Sequence, residues 1–378
     1  MDGIIIKGQS KEVEECQVLG GIDTLYCFLD CSRIASKELY QNLWNSVNNG
    51  SFQRENYRFL CFSGKKNGFI GGWYVYTGRG GIPLFRVGFK DPQKQKQVNN
   101  IFIQFYASGI YSLGLYGLLN FVKAEFSDLL SFEVSNDDLI LSRVDLNAFI
   151  DGYDFSKITA DMFRHSFKFT EAIQKECLDI SDDFQDSFSY SSRRGIQTLY
   201  LGNHHVSPLY MKIYDKNAEL NKKEADISSM VKRYFLQTNG FTSDHVWNLE
   251  YTMKKEVLNQ YGAFTVTHLL LMADSIFKDL MQRNSFLGYD LDTIQSYRNG
   301  KNISKLSPHP IWQKILDNYR FCNYDIDVQR VYKEYKQGSR DWACKNIIST
   351  IRKQKNIDNN FTEKEILALY HEAQKDIA

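Results

Sequence analysis

Tyr210, Lys212, Tyr214 and Lys216 recur at every second position of LYMKIYDKNAEL, residues 209–220. In an extended segment this spacing places all four on one face, opposite Leu209, Met211 and Ile213. Two other segments share the pattern. In LSRVDLNAF (141–149), Arg143, Asp145 and Asn147 oppose Val144, Leu146 and Ala148; in VWNLEYTMK (246–254), Asn248, Glu250 and Thr252 oppose Trp247, Leu249, Tyr251 and Met253. If the three are neighbours in one sheet, Asp145, Tyr214 and Glu250 share a surface with Arg143, Lys212 and Lys216. That surface holds two hard oxygen ligands, a phenol and several cations suited to phosphate. A phenol titrates near ~10, so it is a poor nucleophile at neutral pH until a cation or base stabilises its phenolate. Mg²⁺ or Mn²⁺ on the carboxylates would polarise a phosphate and offset charge in the transition state. The chemistry that fits is transfer of a phosphodiester to tyrosine. The competing reading is a solvent-facing sheet surface with scattered charges and an amphipathic tyrosine.

The elements that must position these residues are legible as short β-branched or aromatic runs bounded by Gly, Asn, Asp or Lys. They predict strands at 22–30, 57–64, 71–81, 83–90, 141–149, 198–203, 208–216 and 246–254. Apolar spacing predicts helices at 36–47 and 156–176, and leaves 93–115 unassigned. From about Phe264 the character turns helical, ending in a helix with Thr362 and Glu365 at capping-box spacing. The expectation is an α+β fold: a largely antiparallel central sheet carrying the active site, then a helical C-terminal region. The domain division follows as residues 1–262, catalytic, and 263–378, helical and DNA-binding.

Composition excludes more than it selects. The 378 residues carry a formal net charge of +1, so any electrostatic preference must come from local distribution. Residues 125–161 hold nine acidic and two basic side chains, whereas residues 331–360 hold seven basic and three acidic ones. A basic helical tail suits a phosphate backbone, and Lys345, Arg352 and Lys353 are its candidate DNA contacts. The seven cysteines are scattered, with no CxxC pair, which argues against a disulfide framework or a structural zinc. An apolar run of three near the start is too short for a signal peptide, and no window approaches a membrane span; the expected location is cytoplasmic, with no membrane partner.

Three motifs, SRVDLNAFID (142–151), TLYLGNHHVSPLYMKIYDKNAEL (198–220) and WNLEYTMKKE (247–256), resemble in that order the replication initiators of staphylococcal-type rolling-circle plasmids, the Rep-trans family. Related relaxases of conjugative elements share that family. The likeness spans roughly residues 20–320, and the middle motif is the most specific. It implies that Tyr214 nicks one strand of a double-strand origin, becomes joined to the 5′ phosphate and leaves a 3′ hydroxyl. It also implies that Asp145 and Glu250 hold Mg²⁺ or Mn²⁺. The family often has a second Asp four residues after the first; here Phe149 stands there and Asp151 follows, a weaker third ligand. Asn248 stands where relatives commonly have Arg, and His204 and His205 where they have Ser-Arg. Arg143, Lys212, Lys216, His204, His205 and Tyr210 are the candidate contacts to single-stranded DNA, Tyr210 by stacking on a base. The resemblance further implies a helicase, from the host or the element, and a homodimer.

Consecutive histidines on a strand would point to opposite sides, which disfavours metal ligation by His204 and His205 and favours a loop or DNA contact. No GxxxxGK[ST] loop occurs, in keeping with a reaction that stores the phosphodiester's energy in phosphotyrosine. Two alternatives stay open: a relaxase of a mobilisable or conjugative element, with the same chemistry at a transfer origin, and a non-catalytic DNA-binding replication regulator.

Overall fold

The computed structural model describes residues 13–29, 37–61, 72–92, 101–174, 196–300, 302–321, 328, 330 and 331. Lys345, Arg352, Lys353 and the expected terminal helix lie outside the described residues. Twelve strands occur among them: β1 (Gln17–Leu29), β2 (Tyr57–Cys61), β3 (Gly72–Thr77), β4 (Pro83–Phe89), β5 (Ile101–Phe105), β6 (Leu139–Asp151), β7 (Phe163–Arg164), β8 (Thr170–Gln174), β9 (Ile196–Leu201), β10 (Leu209–Asp215), β11 (Val246–Lys254) and β12 (Ser285–Phe286). The helices are α1 (Lys37–Asn48), α2 (Ala107–Leu113), α3 (Leu115–Leu130), α4 (Lys216–Lys222), α5 (Ile227–Thr238), α6 (Lys255–Gln260), α7 (Val266–Arg283), α8 (Leu291–Gly300) and α9 (Pro310–Asn318).

Ten strands form one sheet in the order β2-β3-β4-β5-β1-β6-β11-β10-β9-β8, and every pairing is antiparallel. The fold is therefore α+β, built on a large antiparallel sheet with helices added to it. One face of the central strands is apolar. Val144, Leu146 and Ala148 of β6, Met211 and Ile213 of β10, and Leu249, Tyr251 and Met253 of β11 share a core with Leu269, Phe277 and Leu280 of α7 and Trp312 of α9. Two hydrogen bonds tie this layer down: Tyr251 Oη donates to the Leu280 carbonyl at 3.3 Å, and Trp312 Nε1 to the Met281 carbonyl at 3.0 Å. The helices after residue 264 thus seal the underside of the strands that carry the site. The described residues up to Arg330 belong to one compact unit.

The other face is covered too, by α2, α4 and α5. Tyr111 of α2 stacks on Phe235 of α5 with centroids 4.6 Å apart. A satellite core of Phe149, Leu220, Leu236, Phe241 and Val246 lies beneath these helices. Gly109 lets α2 pack directly on β4, since a Cβ there would collide with the Leu84 backbone.

The helix expected over 156–176 is absent among the described residues: a 3-10 turn at Ala160–Met162 leads into β7 and β8. Phe163 there pairs with Phe286 of β12 and packs edge-on against Trp312. Apolar spacing that mimics a helix is overridden by a tertiary pairing with a segment more than a hundred residues away. The strand expected over 208–216 stops at Asp215, whose side chain accepts from the Ala218 amide at 2.9 Å and caps α4. That cap turns Lys216 off the strand.

Candidate active site

Antiparallel register sets three rows of side chains across β10, β11 and β6. Lys212, Glu250 and Asn147 form one row, Tyr214, Asn248 and Phe149 the next, and Tyr210, Thr252 and Asp145 the third. Directly opposed residues on one face lie about 5 Å apart, so these side chains meet. They are not exposed: Asn147, Asn248, Glu250 and Thr252 are completely buried, and Asp145 is 1% exposed. A polar sheet face under a helical cover, rather than in water, is what distinguishes this surface.

Tyr214 sits at the centre. Its Oη accepts from Asn248 Nδ2 at 2.8 Å and from Lys216 Nζ at 3.3 Å. Lys216 is itself fully buried, bonded to Glu219 at 2.7 Å and lying 5.5 Å from the centre of the Phe149 ring. Phe149 is thus packing for a lysine. Burial, and then the charge on Glu250, push the Tyr214 phenol well above its ordinary value, against the pull of Asn248. The Lys216 ammonium is depressed by burial and by Lys232, with Asp23 and Glu219 opposing. Burial also raises the Glu250 carboxyl, to about 7, with Lys212 opposing and Asp145 reinforcing. Burial works against the Lys212 charge as well, but Glu250, 2.9 Å away, and Asp23 together hold it above its ordinary value.

Asp23 enters this network through a defect in β1. The β1–β6 register shifts between Ile22 and Thr24, leaving Asp23 without a partner in the ladder. Ile22 and Leu25, three apart, both enter the apolar core, and the bulge re-aims Asp23 to the polar side. Its Oδ1 accepts from Tyr111 Oη at 2.9 Å and lies 3.7 Å from Lys232 of α5. Burial would raise its carboxyl, but Lys232, Lys216 and Lys212 together hold it far below the ordinary range. Asp23, Lys232, Glu219 and Tyr111 were not legible as site residues. Simple alternation from Leu25 puts Asp23 in the core, and the others reach the site from helices.

The remaining expected residues separate into near and far. Arg143 clasps both oxygens of Asp145, at 2.9 and 2.7 Å, and reaches Tyr210 Oη at 3.4 Å. Asp151 lies six residues beyond Asp145, about 20 Å along the strand. There it accepts from the Thr242 and Ser243 amides and the Ser243 hydroxyl, bracing a turn. His204 and His205 occupy the turn between β9 and β10, which a positive φ at Gly202 begins. Their rings do not diverge: centroids are 3.8 Å apart, and His204 stacks on Tyr200 at 4.4 Å.

For a divalent cation, the described residues contain no cluster of three or more His, Cys, Asp or Glu. The face does contain mixed oxygen donors. Asn147 Oδ1 and Thr252 Oγ1 are buried without hydrogen bonds, Glu250 Oε1 faces the Lys212 ammonium at 2.9 Å, and Gly21, opposite Asn147, leaves a space that a Cβ would fill to within 3.1 Å of Asn147 Oδ1. Carboxylate, amide and hydroxyl oxygens are the donors that Mg²⁺ or Mn²⁺ takes, and an ion held by Glu250, Asp145 and Asn147 would have to displace Lys212 and Arg143 from the two carboxylates. A cleft of about 330 Å³ is lined by Asp23, Tyr200, Lys212, Tyr214, Glu219 and Lys222.

No protein-family model and no curated protein matches this chain. Among solved structures it is similar to a rolling circle replication initiator protein from Geobacillus stearothermophilus, with a TM-score of 0.44 and 13% identity over 82% of this chain and 100% of that one. Among the described residues no helix is long and apolar enough to cross a membrane.

Proposed function

We propose that this protein is a site-specific DNA nicking and strand-transfer enzyme that initiates rolling-circle replication through a phosphotyrosine at Tyr214. The observation that carries this reading is the phenol itself: buried at the end of a cleft, with Asn248 and Lys216 both donating to Oη. Both donors bind a phenolate more strongly than a phenol, which is the preorganisation a tyrosine nucleophile needs. The penalty they work against is burial followed by the Glu250 charge. A divalent cation on Glu250, Asp145 and Asn147 would neutralise that charge and polarise the phosphate. Lys212 lines the same cleft, where its ammonium would meet a phosphate oxygen.

In the step itself Tyr214 Oη bonds to phosphorus, the P–O3′ bond breaks, and the 3′ oxygen leaves and takes up a proton from water. The phenol proton passes to water as Lys216 and Asn248 take hold of the phenolate, which balances the proton taken up by the 3′ oxygen. The product is a 5′-phosphotyrosine, and reversal with another 3′ hydroxyl rejoins a strand. Double-strand origin DNA and single-stranded DNA would be the substrates of this reaction, and replication from the nick would call on an unwinding helicase.

The test is incubation of the protein with supercoiled plasmid carrying its neighbouring intergenic DNA, with Mg²⁺ or Mn²⁺, and detection of nicked circles bearing covalent protein. Nicking should vanish in EDTA. In Glu250→Gln it should fall by roughly a hundredfold or more, several kcal/mol of transition-state stabilisation, with partial recovery at high cation concentration. Nicking that survives EDTA would remove the cation from the mechanism, and no covalent product with any strand would remove the reaction.

A further inference from the structure

A second, larger cleft of about 770 Å³ lies between α4, α5 and the turn at 241–244. It shares Gln197, Asp215 and Lys222 as walls with the cleft lined by Tyr214, so the two adjoin. Its floor is apolar: Leu220, Leu236 and Phe241 are buried members of the satellite core. Its rim is made of short polar side chains, with Asn221 and Gln237 exposed on facing helices. Arg233 donates to Asn221 Oδ1 at 3.1 Å, and Lys222 to Gln197 Oε1 at 3.0 Å, so two cations stand at the edge with their amide partners.

An apolar floor ringed by groups that both donate and accept is what an unstacked nucleobase requires, and about 770 Å³ leaves room for its sugar and flanking phosphates as well. Asn and Gln amides can pair with a base edge in two hydrogen bonds, and rim cations can meet the flanking phosphates. A bare phosphate would gain nothing from the Leu220, Leu236 and Phe241 floor. We infer that this cleft takes one extruded nucleobase of the single strand next to the phosphate presented to Tyr214, and so reads sequence at the nick. The inference rests on the nicking function proposed above and adds a base-specific subsite to it.

The test separates the two. The full-length Tyr214→Phe protein, which cannot be consumed by adduct formation, is offered a pool of random 16-nucleotide single strands, and bound strands are sequenced. The expected result is a position with one preferred base. Ala218→Trp, which fills the cleft, and the Asn221→Ala/Gln237→Ala pair, which strips its rim, should each cut that preference at least fivefold at that position alone. Thermal melting of both variants shows that they fold, and the rim pair changes only exposed side chains should the tryptophan not be tolerated. A pool that stays random, or a preference unchanged in the rim pair, overturns the subsite. Wild-type protein is then given the selected strands with Mn²⁺. An adduct without any cleft-dependent preference sinks the subsite and leaves the nicking reading standing. Cleft-dependent preference without an adduct does the reverse.

Discussion

Replacing Tyr214 by Phe removes one oxygen from the most crowded part of the site. Oη accepts from Asn248 at 2.8 Å and Lys216 at 3.3 Å, so the cost depends on what those donors do next. Lys216 keeps Glu219 at 2.7 Å, and Asn248 Nδ2 keeps Glu250 Oε2 at 3.4 Å. Neither donor is orphaned. The loss is that of an ordinary net hydrogen bond, about 1 kcal/mol, rather than the ~3 kcal/mol of a buried charge left without a partner. For a chain of this length that is a fall of about 2 °C in melting temperature. Adduct formation should drop to zero, because no other hydroxyl on the face occupies that position. The assay measures both in one preparation: a urea midpoint, and transfer of an end-labelled nick-site oligonucleotide to protein on a denaturing gel. Tyr210→Phe is the control, since its hydroxyl has only a long contact with Arg143 at 3.4 Å; it should retain most of the adduct. Labelled protein from Tyr214→Phe would refute the assignment of the nucleophile. A loss of 4 kcal/mol or more would refute the account of the network, showing that Oη holds the buried charges together.

Three further outcomes follow from other parts of the chain. Asp151→Asn should cost about 1–2 kcal/mol through the 242–243 turn it braces, and should leave adduct yield at saturating cation within about threefold; a large loss restored by extra metal would bring Asp151 back as a ligand. His309 is held to about 4 by burial, and its Nδ1 accepts from the Ile311 amide to cap α9. The unfolded chain therefore takes up this proton first as pH falls. The stability it protects is present above about pH 6.5 and is lost down to pH 4, about 2 kcal/mol after allowing for partial solvent access. His309→Asn, which caps without titrating, should flatten that part of the pH–stability curve, and an unchanged curve would reject the assignment. Truncation before residue 331 should weaken origin-duplex binding and lower its salt dependence while sparing cleavage of single-stranded nick-site DNA; equal duplex affinity and salt slope would place recognition in the sheet unit.

What the sequence determined by itself is periodic. Alternation in β6, β10 and β11 assigns Asp145, Asn147, Tyr214, Asn248 and Glu250 to one face, because a strand's side chains repeat every two residues whatever surrounds them. The same rule marks the opposite face as core. Tertiary structure decided whether that polar face meets water, and it does not: α2, α4 and α5 cover it, so carboxylates and lysines that would be independent in solvent shift one another. It decided the membership as well. Asp23 comes in through a bulge that alternation cannot anticipate, and Lys232 reaches it from a helix 209 positions along the chain. Lys216, expected on the strand face as a DNA contact, is drawn beside the phenol by the Asp215 cap, while Asp151, on the correct face, lies too far along β6 to join. Face is a property of neighbours two residues apart. Register, bulges and cover are set by contacts between segments that local pattern does not connect.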